Sequence, residues 1–599
     1  MCGITGYIGK SKCIPKIITA LEALEYRGYD SSGIAYLDEN DIKVIKEKGK
    51  IANLKEQLDM DTPTHLGIGH TRWATHGEAN KLNAHPHQVG NITLVHNGII
   101  ENYIDLKQEL EQKGYKFQTE TDTEVAAALI DSLYQETKDI IKAIHEAGKL
   151  IRGSYAFGIL VANDPTLYAT RKSSPLIVAT SEDGNFIASD VPAILKFTNK
   201  YILLDDYDIV KLTEENITIY NQDLEKVTKE IKTFEGSMDA ASKDGYEHFM
   251  LKEINEQDKV FKNTVNYYFD GTFASLEKSF SFLKNFKKID IVACGSAYHT
   301  GVVGKYLLET YGNIETNVEV ASEYRYKKNF YTKDTLLIVV SQSGETADTL
   351  AALRNAKKDG ITTMCIVNVV GSSIAREADH VVYIKAGFEI AVATTKAYLA
   401  QLAIFSLLAL YLGKLNNTIS DEEFTLINNE IKNMPTYIKD TINDKTYIDI
   451  ANKIYQDKQI FFIGRGIDYA LSLEASLKLK EISYINSVAY QAGELKHGTI
   501  SLIEKDTPVI AISTDKSLNE KTISNIKEVK ARGANVIFIT TQKPNENFYN
   551  DIILLKEIHP ILQSLITIIP LQLLAYQVAK NNNCDIDKPR NLAKSVTVE

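Results

Sequence analysis

Three apolar runs in the middle of the chain return, in the same order and at nearly the same spacing, close to its end. Ile291–Ala293 with Gly295 is answered by Ile460–Ile463 with Gly464, Thr335–Ser341 by Thr507–Ser513, and Gly360–Val367 by Gly533–Thr540, at offsets of 169, 172 and 173 residues. Near-constant spacing over three elements marks a duplicated domain. In the first copy Ile289–Ala293, Thr335–Val340, Thr362–Asn368 and His380–Ile384 read as strands, with Thr300–Leu308, Thr346–Lys358 and Lys396–Leu412 as the helices between and after them. Apolar strands separated by helices specify a parallel, doubly wound α/β sheet. The 599 residues leave room for about four domains. A net charge of −11 argues against a nucleic-acid partner. The longest apolar runs, such as Leu402–Leu412, fall short of the roughly 18 residues a membrane span needs, so no membrane is expected. Lys10 and Lys12 interrupt the start, unlike a signal peptide. Five scattered cysteines make no disulfide framework and point to the reducing cytoplasm.

Residues 2–235 have another texture. Short β-rich runs (Ile4–Ile8, Gly33–Tyr36, Thr64–His70, Ile92–His96, Ala156–Val161, Leu167–Thr170) alternate with turns, and Pro15–Leu24 and Thr123–Gln135 read as amphipathic helices. The mixture predicts an α+β layered domain. Its first residues are Met1-Cys2-Gly3-Ile4. Removal of Met1 would leave a cysteine carrying both a thiol and an α-amine, and an amine of pKa roughly 7.7–8.0 can take the thiol proton.

Four polar clusters accompany Cys2: Leu24–Gly33, Gly69–Gly77 with the only tryptophan, His96-Asn97-Gly98, and Glu120–Thr123 before a helix. Each has an ordinary structural explanation. Arg72 could be a surface ion pair, Trp73 a core residue, Asn97-Gly98 a hairpin turn, and Asp122 or Thr121 a helix cap. Taken together they supply a nucleophile, oxyanion donors from Asn97 and the Gly98 N–H, a cation for a carboxylate and an anion for an ammonium. A ligand bearing both charges is an amino acid, whose side-chain amide the thiolate would attack. His85-Pro86-His87, near His76 and His96, fits no structural zinc spacing and has no cysteine pair, so no metal is expected.

Beyond residue 236 a polar, Gly-bearing stretch, Gly236–Asn255, reads as a linker and docking helix. In the first copy Ser341-Gln342-Ser343-Gly344-Glu345-Thr346 follows a strand and opens a helix, which suits a phosphate. An ordinary serine-rich capping turn would look the same. The second copy reads Ser513-Thr514-Asp515-Lys516, and its extra carboxylate predicts one phosphate site rather than two. Glu474, Lys478 and Glu481 lie on one face of a helix, ordinarily a solvated ion-pair ladder, ahead of the His497-Gly498 loop. The last residues, Arg590–Glu599, carry no helix or strand signal, and would have to be docked to matter.

The segments CGITGYIG, LEYRGYDSSG, GHTRWATHG, HNGIIEN, SQSGETADT, KEISYI, AGELKHG and DKPRNLAKSVTVE together make the chain resemble, over nearly its whole length, the glutamine–fructose-6-phosphate aminotransferase family. The resemblance implies an N-terminal-nucleophile hydrolase domain, a four-layer αββα glutamine amidotransferase, at 2–235. A linker and docking helix would follow at 236–278, then doubly wound sugar-isomerase (SIS) domains at 279–418 and 450–589 and a catalytic tail at 590–599. It implies ammonia transfer from glutamine through an internal channel to fructose 6-phosphate. The products would be glucosamine 6-phosphate, first step of the hexosamine pathway, and glutamate, with neither metal nor organic cofactor.

By resemblance, Cys2 is the nucleophile and Asn97 and Gly98 the oxyanion hole. Arg72 and Asp122 hold the glutamine carboxylate and ammonium, Thr75 and His76 line that pocket, and Trp73 gates the channel. Ser296, Ser341, Gln342, Ser343 and Thr346 hold the sugar phosphate, although Ala297 stands where the family commonly has a second hydroxyl. Lys594 forms a Schiff base, Glu481 moves a proton between C1 and C2, and Lys478 supports it. His497 assists ring opening from a neighbouring subunit, implying a homodimer. A different amidotransferase would need a phosphoribosyl-diphosphate or pyrophosphatase loop, and neither is visible. A non-catalytic phosphosugar sensor would have no use for a Schiff-base lysine.

Overall fold

The computed structural model describes residues 2–73, 77–234 and 242–597. The chain divides into one unit of Met1–Ser242 with Ala593–Glu599, and a second of Lys243–Leu592.

The first unit is built on two antiparallel sheets, of eight and seven strands. The first has Gly3–Gly9 at its centre, paired on one side with Gly184–Ala188 and on the other with Leu66–Arg72. In the second, Ile92–Ile100 pairs with Gly153–Val161. Strand periodicity sorts the side chains. Ile4 and Ile8 point into the layer between the sheets, against Val95, Ala156 and Leu160 of the second sheet. Tyr7, on the opposite face, joins the helix Cys13–Leu24 through Ile14, Ile17 and Leu21. Gly69 lets that helix come close, since a β-carbon there would sit 2.5 Å from Ile17. Across the second sheet, Leu94, Phe157 and Ile159 pack on Asp122–Thr137 and Ile140–Leu150. The layer order is helix, sheet, sheet, helix.

The second unit contains two five-stranded parallel sheets of identical topology. Each runs second strand, first, third, fourth, fifth. In the first copy these are Glu315–Val320, Lys288–Ala293, Thr335–Ser341, Thr362–Val367 and His380–Tyr383. In the other they are Asn486–Gln491, Gln459–Gly464, Pro508–Ser513, Asn535–Thr540 and Asp551–Leu554. Such sheets place ligands at the carboxyl ends of the strands near the reversal of order. The helices Phe249–Asn255, Gln257–Tyr268 and Phe273–Phe280 lie where a linker and one helix were expected, and Met250, Ile254, Phe261 and Phe280 are part of the apolar core that joins both copies. The Asp587 carboxylate accepts the Phe249 and Met250 N–H groups at 2.9 and 3.0 Å, tying the start of this unit to its end.

The expectation from apolar run length needs correcting. Lys396–Leu415 and Pro560–Asn581 are long and apolar enough to cross a bilayer, yet 89% and 94% of their most apolar windows are buried inside the unit. They are core helices, apolar all round because they are covered all round.

Candidate active site

Cys2 precedes the central strand of the first sheet, and its sulfur is met by the neighbouring strand end. The Trp73 N–H donates to Cys2 Sγ at 3.3 Å, while the thiol reaches the Trp73 carbonyl at 3.5 Å. Burial pushes the Cys2 thiol up from its ordinary value, and the Trp73 N–H and the Arg72 charge pull it partly back. The resting group is therefore a thiol, and becoming a nucleophile requires a base. The Leu24–Gly33 loop backs this corner: Tyr26 donates to Asp190 at 2.6 Å, Arg27 pairs with the same carboxylate, and the Asp30 N–H donates to the Arg72 carbonyl at 3.0 Å.

Asn97 and Gly98 do not form a hairpin turn. They lie inside the strand Ile92–Ile100, opposite Ala156 and Tyr155. Asn97 Nδ2 donates to the Cys2 carbonyl at 2.8 Å, which brings its amide beside the nucleophile. Gly98 has φ +139°, and a β-carbon would sit 2.1 Å from the Ser154 carbonyl, so only glycine fits. Two residues further on, the Ile100 N–H donates to Asp122 Oδ2 at 2.9 Å. Asp122 is the first residue of its helix, and the cap is Thr121, whose hydroxyl accepts the Glu124 N–H at 3.3 Å. Asp122 thus sits in the first turn of that helix, at the positive end of its dipole. Arg72 is 3% exposed and donates to the Gly77 and Glu78 carbonyls. Burial pulls its guanidinium down, and the nearby carboxylates of Asp30, Asp122 and Glu120 partly restore it. Cys2, Arg72, Trp73, Asn97, Gly98 and Asp122 thus come together; Thr75 and His76 lie outside the described residues.

Beneath them is a layer of buried imidazoles. The His70 and His85 rings stack at 4.1 Å, His85 meets His87 edge-on at 4.9 Å, and Thr123 Oγ1 lies 3.3 Å from His85 Nε2 and 3.0 Å from His96 Nδ1. Burial holds His70 down at about 3, and His85 and His87 well below the ordinary value. An unfolded chain releases these histidines to about 6.5. Below that pH the unfolded state binds protons that the folded state refuses, so stability is present above about 6.5 and falls as pH drops. The three histidines act in the same sense, so the loss steepens as pH falls. Unfolding followed by fluorescence of Trp73, the single tryptophan, is expected to shift steeply to lower temperature between pH 6.5 and 4.5. A midpoint unchanged from pH 7 to 5 would contradict this.

In the second unit, Ser341–Thr346 follows the central strand Thr335–Ser341 of the first parallel sheet, beside the strand that leads to Ser296. Ser341 Oγ lies 2.9 Å from Thr346 Oγ1 and accepts the Gly344 N–H at 3.0 Å, and Ser343 Oγ accepts the Glu345 N–H at 3.2 Å. Gln342, Ser343 and Thr346 are half-buried, and Ser341 is buried. The loop ends where the helix Ala347–Lys358 begins, a position suited to an oxyanion. In the second copy the corresponding donors already have an anion. The Thr514 hydroxyl and N–H and the Asp515 N–H donate to the Asp468 carboxylate at 2.5, 2.8 and 3.2 Å. Burial raises Asp468 to about 6 against these three bonds.

The face carrying Glu474, Lys478 and Glu481 is not a solvated ladder. Glu474 is 0% and Lys478 1% exposed. Lys478 Nζ lies 2.5 Å from Glu481 and 3.5 Å from Glu474. Burial alone would drive Lys478 down, but Glu481 and Glu474 raise it above the ordinary value and keep it charged. Glu474 also accepts from Ser296 Oγ at 2.9 Å and lies 2.8 Å from His299 Nδ1, both on the helix Gly295–Thr310 of the first copy. The Ser296 hydroxyl is therefore committed to Glu474 rather than to the Ser341 loop. Sequence reasoning missed His299 and the cross-copy role of Glu474, because no local pattern shows which helix a buried carboxylate will meet. His497 is exposed on a 3₁₀ turn. Lys594 is half-buried and belongs to the first unit.

Comparison with known proteins agrees with this division. A glutamine amidotransferase domain family matches residues 70–196, and the SIS domain family matches 282–411 and 453–581. The glutamine–fructose-6-phosphate aminotransferase (isomerizing) of Clostridium tetani is 48% identical over 610 residues, covering all of both chains. That of Thermus thermophilus is 43% identical over 607 residues, again covering both completely. The C-terminal domain of the Francisella tularensis glucosamine-fructose-6-phosphate aminotransferase superposes with a TM-score of 0.55 at 39% identity, covering 58% of this chain and all of that one. With an amidotransferase sandwich first and a duplicated SIS fold after it, the chain belongs to the glutamine–fructose-6-phosphate aminotransferase (isomerizing) family.

Proposed function

We propose that this chain moves ammonia from the side-chain amide of glutamine to fructose 6-phosphate and isomerises the product, giving glucosamine 6-phosphate and glutamate. The observation that carries the reading is the meeting at Cys2 of the Trp73 N–H, 3.3 Å from the sulfur, and the Asn97 amide, 2.8 Å from the Cys2 carbonyl. Once Met1 is removed, the Cys2 α-amine takes the thiol proton and the sulfur attacks the amide carbon. Negative charge gathers on the amide oxygen, where Asn97 Nδ2 and the Gly98 N–H receive it. The C–N bond breaks, ammonia leaves with the proton, and water hydrolyses the thioester to glutamate. Arg72 takes the α-carboxylate of glutamine and Asp122 its ammonium. Trp73 stands beside the sulfur as the gate.

The sugar phosphate is held by Ser341, Gln342, Ser343 and Thr346, with Ser296 nearby. Lys594 condenses with the ketose carbonyl, losing water, and ammonia displaces it. Glu481 carries the proton from C1 to C2, with the charged Lys478 Nζ 2.5 Å from its carboxyl group. His497 assists ring opening in a neighbouring protomer, so the working form is a cytoplasmic homodimer; its exposure on its own chain supports that role. The domain limits proposed are 2–235, 279–418 and 450–589, with 590–599 as the catalytic tail.

Purified chain given amide-labelled ¹⁵N glutamine and fructose 6-phosphate is expected to yield ¹⁵N-labelled glucosamine 6-phosphate matching the glutamate formed, read by mass spectrometry. Glutamate without amino sugar, or neither product, would overturn the reading in favour of a glutaminase or a phosphosugar sensor.

A further inference from the structure

The orientation of the Asn97 amide is dictated from behind. His70 is 0% exposed, and its Nε2 lies 3.0 Å from the His96 carbonyl and 3.1 Å from Asn97 Oδ1. A backbone carbonyl can only accept, so Nε2 must carry the hydrogen. With Nε2–H pointing at Asn97, the asparagine must present its oxygen there. Its Nδ2 is then forced to the opposite side, where it donates to the Cys2 carbonyl at 2.8 Å and keeps a second hydrogen for a charge forming beside the sulfur. The other ring nitrogen, Nδ1, has no hydrogen-bond partner among the described residues, and the ring face is stacked on His85. Burying that nitrogen unsatisfied costs free energy, which a merely space-filling residue would not incur.

We propose that His70 is a positioning residue for glutamine hydrolysis: its Nε2–H, shared between the His96 carbonyl and Asn97 Oδ1, locks the Asn97 amide with Nδ2 turned toward Cys2, where it donates to the Cys2 carbonyl. The proposal rests on the glutaminase reading above and deepens it. Without the lock, the amide is free to flip and present its oxygen to the developing oxyanion. The loss falls on the transition state rather than on glutamine binding, which Arg72 and Asp122 carry.

The test is a double-mutant cycle in the full-length protein, reading kcat and KM for glutamate release. Asn97→Ala is expected to lower kcat by about 10²–10³-fold, the scale of losing one oxyanion donor, and His70→Ala by roughly 10–100-fold. The KM for glutamine should stay within about threefold in His70→Ala. In the Asn97→Ala background the His70 substitution should cost less than about threefold, because the amide it orients is gone. His70→Gln, which keeps an N–H at the end of a planar amide, should recover most of the loss. Should His70→Ala fail to fold, the same cycle is run with His70→Phe, which keeps the stacked ring and donates nothing. Additive losses, an effect confined to KM, or failure of the Gln variant where Trp73 fluorescence reports a folded unit would overturn the proposal. Glutamine hydrolysis that survives Asn97→Ala and Cys2→Ala would instead sink the assignment of hydrolysis to the Cys2 site.

Discussion

Replacing Cys2 by alanine is expected to reduce glutamine hydrolysis by about 10⁴-fold or more, the scale of deleting a covalent nucleophile. No other thiol can substitute. Cys13, the one other cysteine of the first unit, is 0% exposed and pushed up to about 12 by burial, so it is neither accessible nor ionised near neutral pH. Cys2→Ser should also fail, because a hydroxyl is far harder to deprotonate with an amine. Neither change alters a residue of the second unit, and Trp73 fluorescence serves as the control for folding of the first. Glutamate release, measured with and without fructose 6-phosphate, decides the matter. A Cys2→Ala protein that hydrolyses glutamine at the parent rate would remove the thiol from the mechanism.

Lys594→Ala is expected to separate the two halves of the reaction in the opposite sense. Glutamine hydrolysis should continue, while amino-sugar formation falls by at least about 10³-fold, as for a group that acts in the chemical step. Lys594→Arg sharpens the interpretation. Arginine keeps the positive charge, but its guanidinium stays protonated and cannot condense with a carbonyl. If the lysine merely pairs with an anion, the arginine variant should work. If it forms a Schiff base, both variants fail, and borohydride in the presence of fructose 6-phosphate should add the sugar's mass less one oxygen (water lost on condensation, two hydrogens gained on reduction) to the parent protein and to neither variant. Amino-sugar synthesis surviving in Lys594→Ala would remove the Schiff base.

Much of this was legible in the residues, for reasons that can be named. The duplication shows because the central strands of a parallel sheet are apolar on both faces, as in Thr335–Ser341 and Pro508–Ser513. The edge strands Glu315–Val320 and Asn486–Gln491 escaped, because one flank faces solvent and their sequences, ETNVEV and NSVAYQ, hold no apolar run. Short motifs exposed Cys2, Arg72, Trp73, Asn97 and Gly98, since close backbone approach and charge recognition demand particular residue types at fixed spacing. Burial of charge was not legible. Glu474 and Lys478 read as a wet helix face because the helix that covers them, carrying Ser296 and His299, comes from 175 to 178 residues before Glu474. No metal was expected at the histidines at 85, 87 and 96, but their partners Thr121 and Thr123 were equally hidden, because they come from the start of a later helix.

The Asp468 carboxylate bound by Thr514 and Asp515 makes a larger point about the duplicated half. A tethered anion pays no entropy of association and cannot be washed out or outcompeted, so this copy is permanently self-liganded. The twin folds are thereby released from redundancy. On the proposed function, one keeps its serine-rich turn for a diffusible guest, while the other, its own seat taken, contributes the helix that carries Glu474, Lys478 and Glu481. Gene doubling here has produced a division of labour, enforced by a single side chain.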